Sequence, residues 1–99
     1  MTKYSNDIIR TVLAEQEEKI VNEIQEKEDH LLELNKEYYK ITLEKEFLQF
    51  SHDKSHREIE IPMKLFEDRD SLEKEIRRLK GKLSKYRDFK EQTDKQLED

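Results

Sequence analysis

The chain has 99 residues, 45% of them charged and 32% hydrophobic, with a net charge of −5, one glycine, one proline and no cysteine. A typical globular domain is about a quarter charged and nearly half apolar, so a large single-chain core is excluded, as are a disulfide framework and a thiolate metal site. Glu, Lys and Leu are the most frequent residues, all good helix formers like Arg and Gln, while proline, glycine and serine are scarce; long helices sharing a thin apolar seam are the reading that fits.

The first predicted helix runs from about Ser5 or Asn6 to about His52. Ser5 and Asn6 are residue types that accept hydrogen bonds from the orphan amides of a helix start, and Asp7 suits the positive end of the helix dipole. Apolar residues then recur at spacings of three and four. Ile24, Leu31 and Tyr38 take a positions and Leu13, Ile20, Leu34, Ile41 and Leu48 take d positions, with faults at Glu17, Lys27 and Lys45. A heptad sustained over this length points to a coiled coil, in a helix roughly 70 Å long.

Regularity fails between Ser51 and Pro62. Ser51-His52-Asp53-Lys54-Ser55-His56 is rich in turn formers, and Glu58-Ile59-Glu60-Ile61 alternates with the period of an extended segment. Pro62 disfavours helical geometry at Ile61 and is acceptable at a helix start. A bend or loop is expected here, with one continuous helix kinked at Pro62 as the competing arrangement. His52 and His56 invite a metal reading beside Asp53. Zinc sites need three or four ligands and the remaining histidine, His30, lies far away in sequence, so a solvated polar linker is expected.

The second helix is expected to begin at Pro62 or, after a short irregular piece, near Asp70, where Asp70 and Glu73 have capping-box spacing. It should extend to about Leu97. Leu65, Leu72, Leu79 and Tyr86 form one half of its seam, and Ile76, Leu83 and Leu97 the other. Gly81 interrupts the pattern, either as a tolerated exposed residue or as a point of close backbone approach by a partner.

A second stripe runs along the first helix through Tyr39, Leu43, Phe47 and Phe50. Two stripes on one helix imply two helical neighbours. The expectation is all-α, with residues 1–99 forming one elongated coiled-coil unit that folds into a hairpin. The stripe would pack against the second helix within the chain, near Leu72, Ile76, Leu79 and Leu83. Glu37, Glu44 and Glu46 would then lie near Arg87, Lys80 and Arg78, and the N-terminal part of the first helix would project. The seam of Leu13, Ile20, Ile24, Leu31, Leu34, Tyr38, Ile41, Leu48, Leu72, Ile76, Leu79, Leu83 and Tyr86 would serve oligomer or partner contacts, a dimer above all.

Charge is unevenly spread. Residues 1–50 carry twelve acids and seven bases, and residues 51–99 thirteen of each. Arg77, Arg78, Lys80, Lys82, Lys85, Arg87 and Lys90 cluster, with Tyr86 and Phe89 among them. Such a helix suits an anion, but pairing with the acidic first helix is the simpler reading, and the acidity of the chain argues against nucleic acid as the main partner.

No glycine-rich phosphate loop, nucleophile–base set or separated carboxylate pair is present, so no enzymatic activity and no cofactor are expected. No apolar run approaches the roughly 20 residues of a bilayer span, and Met1-Thr2-Lys3-Tyr4 lacks the apolar core of a secretory signal. A cytoplasmic or nuclear protein is expected. The function these features suggest is a structural or adaptor protein that self-associates and docks onto a larger protein assembly. The alternative is a small acidic regulator that blocks a nucleic-acid-handling protein, and direct nucleic-acid binding by the basic helix ranks third.

Overall fold

The computed structural model describes residues 3–97, and Met1, Thr2, Glu98 and Asp99 lie outside the described residues. Helix α1 spans Lys3–Phe50, a 3-10 turn spans Lys54–Glu58 and helix α2 spans Met63–Gln96. The two long helices and their short connection make a helical hairpin, with no strand among the described residues. The expected break at residues 51–62 is present.

Helix α1 runs unbroken because its 48 residues contain neither glycine nor proline. Its end is built from backbone hydrogen bonds. The amide of Asp53 donates to the Leu48 carbonyl at 2.8 Å and that of His52 to Gln49 at 3.1 Å. This is a Schellman ending, which places the residue after the helix in the left-handed region. That residue is usually glycine, but here His52 holds φ 59°. A side chain in this conformation costs roughly 1–2 kcal/mol. His52→Gly is therefore expected to stabilise the hairpin by about 1 kcal/mol, read as a rise in urea midpoint at unchanged slope. A lower midpoint would show that the histidine side chain contributes more than the backbone loses.

Asp53 then accepts the Ser55 amide at 2.9 Å and starts the 3-10 turn. Glu58 closes this turn, and the following Ile59-Glu60-Ile61 is non-helical, with Ile59 extended at φ −85° and ψ 116°. Its alternation has the expected consequence: Ile59 and Ile61 are half-buried, and Glu58 and Glu60 are exposed. Pro62 ends this piece and α2 begins at Met63. Asp70 is not a helix start. It lies inside α2 and pairs with Lys74 at 2.9 Å, one turn on.

The start of α1 also departs from expectation. The helix is already formed at Lys3, so Asn6 sits inside it and is buried, rather than capping its N-terminus. The Asn6 amide group donates to the Leu97 carbonyl at 2.9 Å. It thereby occupies one of the carbonyls that every helix C-terminus leaves without an internal partner.

Contacts divide the chain into two compact units. One comprises residues 1–26 and 75–99, the other residues 27–74. In the first, Ile20, Ile24 and Leu79 form a buried cluster with Leu83 and Tyr86 packed on it, and Leu13, Ile76 and Leu97 are buried as well. In the second, Leu65 and Leu72 are buried, and Tyr38 meets Phe66 edge-on at 5.7 Å between ring centroids. Arg69 lies over the Tyr38 ring at 4.4 Å and donates to the Asn35 side chain at 2.8 Å. Cation–π and charge-assisted contacts of this kind fix register where apolar heptads alone do not.

Candidate functional site

Two surfaces carry the chemistry of this chain, one in each unit. In unit 27–74 the seam residues Leu31, Leu34, Tyr38, Ile41 and Leu48 are half-buried. Ile41 and Lys45 line an open, mainly apolar cleft with Ile59 and Ile61 of the linker and with Tyr38 and Phe66. The linker thus lies alongside the seam of α1 near Ile41. On another face of α1, Tyr39 is 58% exposed, Leu43 61%, Phe47 65% and Phe50 83%. This corrects the expectation that the stripe packs within the chain. Burying 100° of a helix takes one neighbour, and within the chain α2 and the linker use the heptad seam. The stripe is left to solvent, with Leu32, Met63 and Phe66 also exposed.

The seam residues of unit 1–26 with 75–99, expected at an interface between copies, are spent inside the chain. Leu13, Ile20, Ile24, Ile76 and Leu79 are buried, while Leu83 and Tyr86 are half-buried. Leu72, of the other unit, is buried too. Arg10 Nε meets Asp94 Oδ1 at 2.7 Å. Glu17, a fault in the heptad, accepts Arg87 Nε at 3.1 Å and Lys90 Nζ at 2.8 Å. Arg87, expected near Glu37, is thus held by Glu17, and the N-terminal part of α1 is paired with the C-terminal part of α2 rather than projecting.

The register was missed because heptad patterns repeat. Sliding one helix by whole heptads keeps every seam residue facing inward. The Glu17 fault facing Arg87 and Lys90 was the usable signal.

Hydrogen bonds from Lys90 and Arg87 hold the Glu17 carboxyl below its ordinary value of 4.5. A carboxyl whose folded pKa is depressed stabilises the fold above its unfolded pKa, and that contribution is lost as pH falls through the folded value. Wild-type stability is therefore expected to fall below about pH 4.5 more steeply than that of Glu17→Gln, in denaturant titrations at stepped pH. Parallel curves would mean that Glu17 gains nothing from the two cations.

Of the basic cluster, Arg77, Arg78, Lys80, Lys82 and Lys85 are exposed. Arg77, Arg78, Lys82 and Lys85 form no ion pair among the described residues. On α1, Glu15, Glu18, Lys19, Asn22, Glu23 and Glu26 line one shallow depression of the outer face. At the loop, the His56 ring nitrogen Nδ1 lies 2.6 Å from the Asp53 carbonyl oxygen. No group of three or more histidines or carboxylates is placed to hold a metal ion among the described residues. No helix described is long and apolar enough to cross a membrane.

Comparison of the chain with protein-family models, curated proteins and solved structures finds no match. The functional reading therefore rests on the surfaces themselves.

Proposed function

We propose that this chain is a coiled-coil adaptor, a binding protein rather than a catalyst, which self-associates and docks onto a larger protein assembly. The observation that carries the reading is the stripe of Tyr39, Leu43, Phe47 and Phe50, each more than half exposed on one face of α1. Single exposed apolar residues are ordinary, but contiguous patches beyond a few hundred Å² mark interaction surfaces. Aromatic residues at helical spacing are the anchors that helix-in-groove and helix-on-helix recognition uses. The seam that would otherwise drive association between copies is occupied within the hairpin, and the stripe holds the most exposed large apolar side chains of α1.

The occupant most consistent with this surface is the stripe of another copy, giving a four-helix arrangement about residues 39–50. The chain is expected to be a dimer at micromolar concentration by light scattering after size exclusion. A monomer at every concentration would end the self-association half of the proposal.

A further inference from the structure

Unit 1–26 with 75–99 has a charge asymmetry that the apolar stripe does not use. Ile20 and Ile24 of α1 pack on Leu79 of α2, so the face of each helix opposite this contact points away from the other helix. On α1 that face carries Glu15, Glu18, Glu23 and Glu26 with Lys19 among them. On α2 the residues turned to solvent over the same stretch include Arg77, Arg78, Lys82 and Lys85, none in an ion pair among the described residues. Lys19 lies one turn from both Glu15 and Glu23, and Asp88 one turn from Lys85, so neither changes the sign of its face. One side of the helix pair is acidic, the opposite side is basic, and the shared Ile20–Ile24–Leu79 contact sets both at the same level.

Gly81 lies at the centre of the basic face. It is exposed, stands two residues from buried Leu79 and hence about half a turn from the seam. A Cβ placed there would meet nothing within 4 Å. Within the chain the glycine is not required, since α2 would be better formed with almost any other residue. Its missing side chain leaves a flat spot, flanked by four cations, onto which another helix can settle closely.

We propose that these two outer faces are the halves of one interface. A second copy of this chain docks Glu18, Glu23 and Glu26 of its α1 onto Arg77, Arg78, Lys82 and Lys85 of α2, crossing over Gly81. The faces point in opposite directions, so one closed twofold contact does not satisfy both. Each added copy leaves a new basic face open, and the contact propagates as a row. Exposed ion pairs contribute little singly, and complementary faces act mainly through orientation and encounter. The association is therefore weak, steep in concentration and sensitive to salt. It goes beyond the stripe-mediated contact and uses none of its residues.

The test uses the full chain carrying Leu43→Gln and Phe47→Gln, which silence the stripe without changing charge. Sedimentation velocity is run at about 0.01 M and about 1 M salt, where the screening length falls from roughly 30 Å to roughly 3 Å. At low salt the weight-average mass is expected to climb past that of a dimer with concentration, and at high salt to stay at the monomer. An acidic variant with Arg77→Glu, Arg78→Glu and Lys85→Glu, and a basic variant with Glu18→Lys, Glu23→Lys and Glu26→Lys, should each remain monomeric alone. Mixed in equal amounts they should assemble again, since each then offers only the sign the other lacks. Circular dichroism of each variant confirms that it is folded. Gly81→Leu should raise the melting temperature of the monomer while weakening the assembly. A monomer at low salt, or folded charge variants that fail to assemble when mixed, overturns the interface. Assembly unchanged by Gly81→Leu overturns the close approach over Gly81. Wild-type protein that is a monomer at about 1 M salt, with this salt-dependent assembly intact at low salt, refutes the stripe reading alone.

Discussion

Leu79→Ala is expected to lower the stability of the hairpin by about 3 kcal/mol, within the roughly 2–5 kcal/mol that buried leucine-to-alanine changes cost. Leu79 is 1% exposed and is the one side chain below 2% exposure among the described residues. It touches Ile20 and Ile24, with Leu83 and Tyr86 packed around the cluster. The substitution removes apolar contact from both helices at once, and a two-helix seam has no further layer that can collapse into the space. Small domains are typically stable by about 5–15 kcal/mol, so the loss is a large fraction of the whole. Urea denaturation followed by helical ellipticity is the measurement, made at several protein concentrations because self-association adds to apparent stability. Leu43→Ala provides the contrast. Leu43 is 61% exposed, so at concentrations where the chain is monomeric its removal should change stability by about 0.5 kcal/mol or less. Equal costs at both positions would mean that the seam and the stripe share the burden of folding.

How far the hairpin could be read beforehand depends on what kind of information each feature needs. The inward positions Leu13, Ile20, Ile24, Leu65, Leu72, Ile76 and Leu79 are all buried, and they follow from a 3.5-residue period that a one-dimensional reading detects. The break at residues 51–62 was marked by polar turn formers, a period-two Glu-Ile repeat and Pro62. Register was not legible from the heptads. It is set by pairings between distant polar residues, Asn6 with the Leu97 carbonyl, Glu17 with Arg87 and Lys90, Asn35 with Arg69. Of these residues Glu17 is a fault in the heptad, and the pattern does not say which residues that fault faces. The end of the helix near His52 is legible, but its left-handed backbone is not, because the usual marker of that geometry is glycine and a histidine adopts it here. The seam is buried within the chain and the stripe is exposed, the reverse of the expectation, because both have helical spacing and the linker, whose Ile59 and Ile61 share a cleft with Ile41 and Lys45, lies beside the seam.

The second large effect concerns the stripe itself. Leu43→Gln with Phe47→Gln is expected to weaken self-association by about a hundredfold or more, since interface anchors each contribute roughly 2 kcal/mol or above when removed and about 1.4 kcal/mol is a factor of ten. The pair is chosen because Leu43 and Phe47 are one turn apart in the middle of the stripe, where an anchor is ringed by other contacts and fully dried on binding. Phe50, at 83% exposed, stands at the end of α1 and should matter less. Glutamine keeps both helix propensity and charge, so a loss of association is assignable to lost apolar burial. Neither residue belongs to the buried core, and the monomer should retain its helical content. The discriminating measurement is sedimentation equilibrium of wild type and double variant at about 1 M salt, where the screening length is roughly 3 Å and contacts between exposed charges are suppressed. Apolar contact persists under these conditions. A wild-type dimer that becomes a folded monomer on substitution supports the stripe as the self-association surface. A double variant that dimerises as tightly as wild type would move the interface elsewhere, and the exposed aromatic face of α1 would then need a different partner.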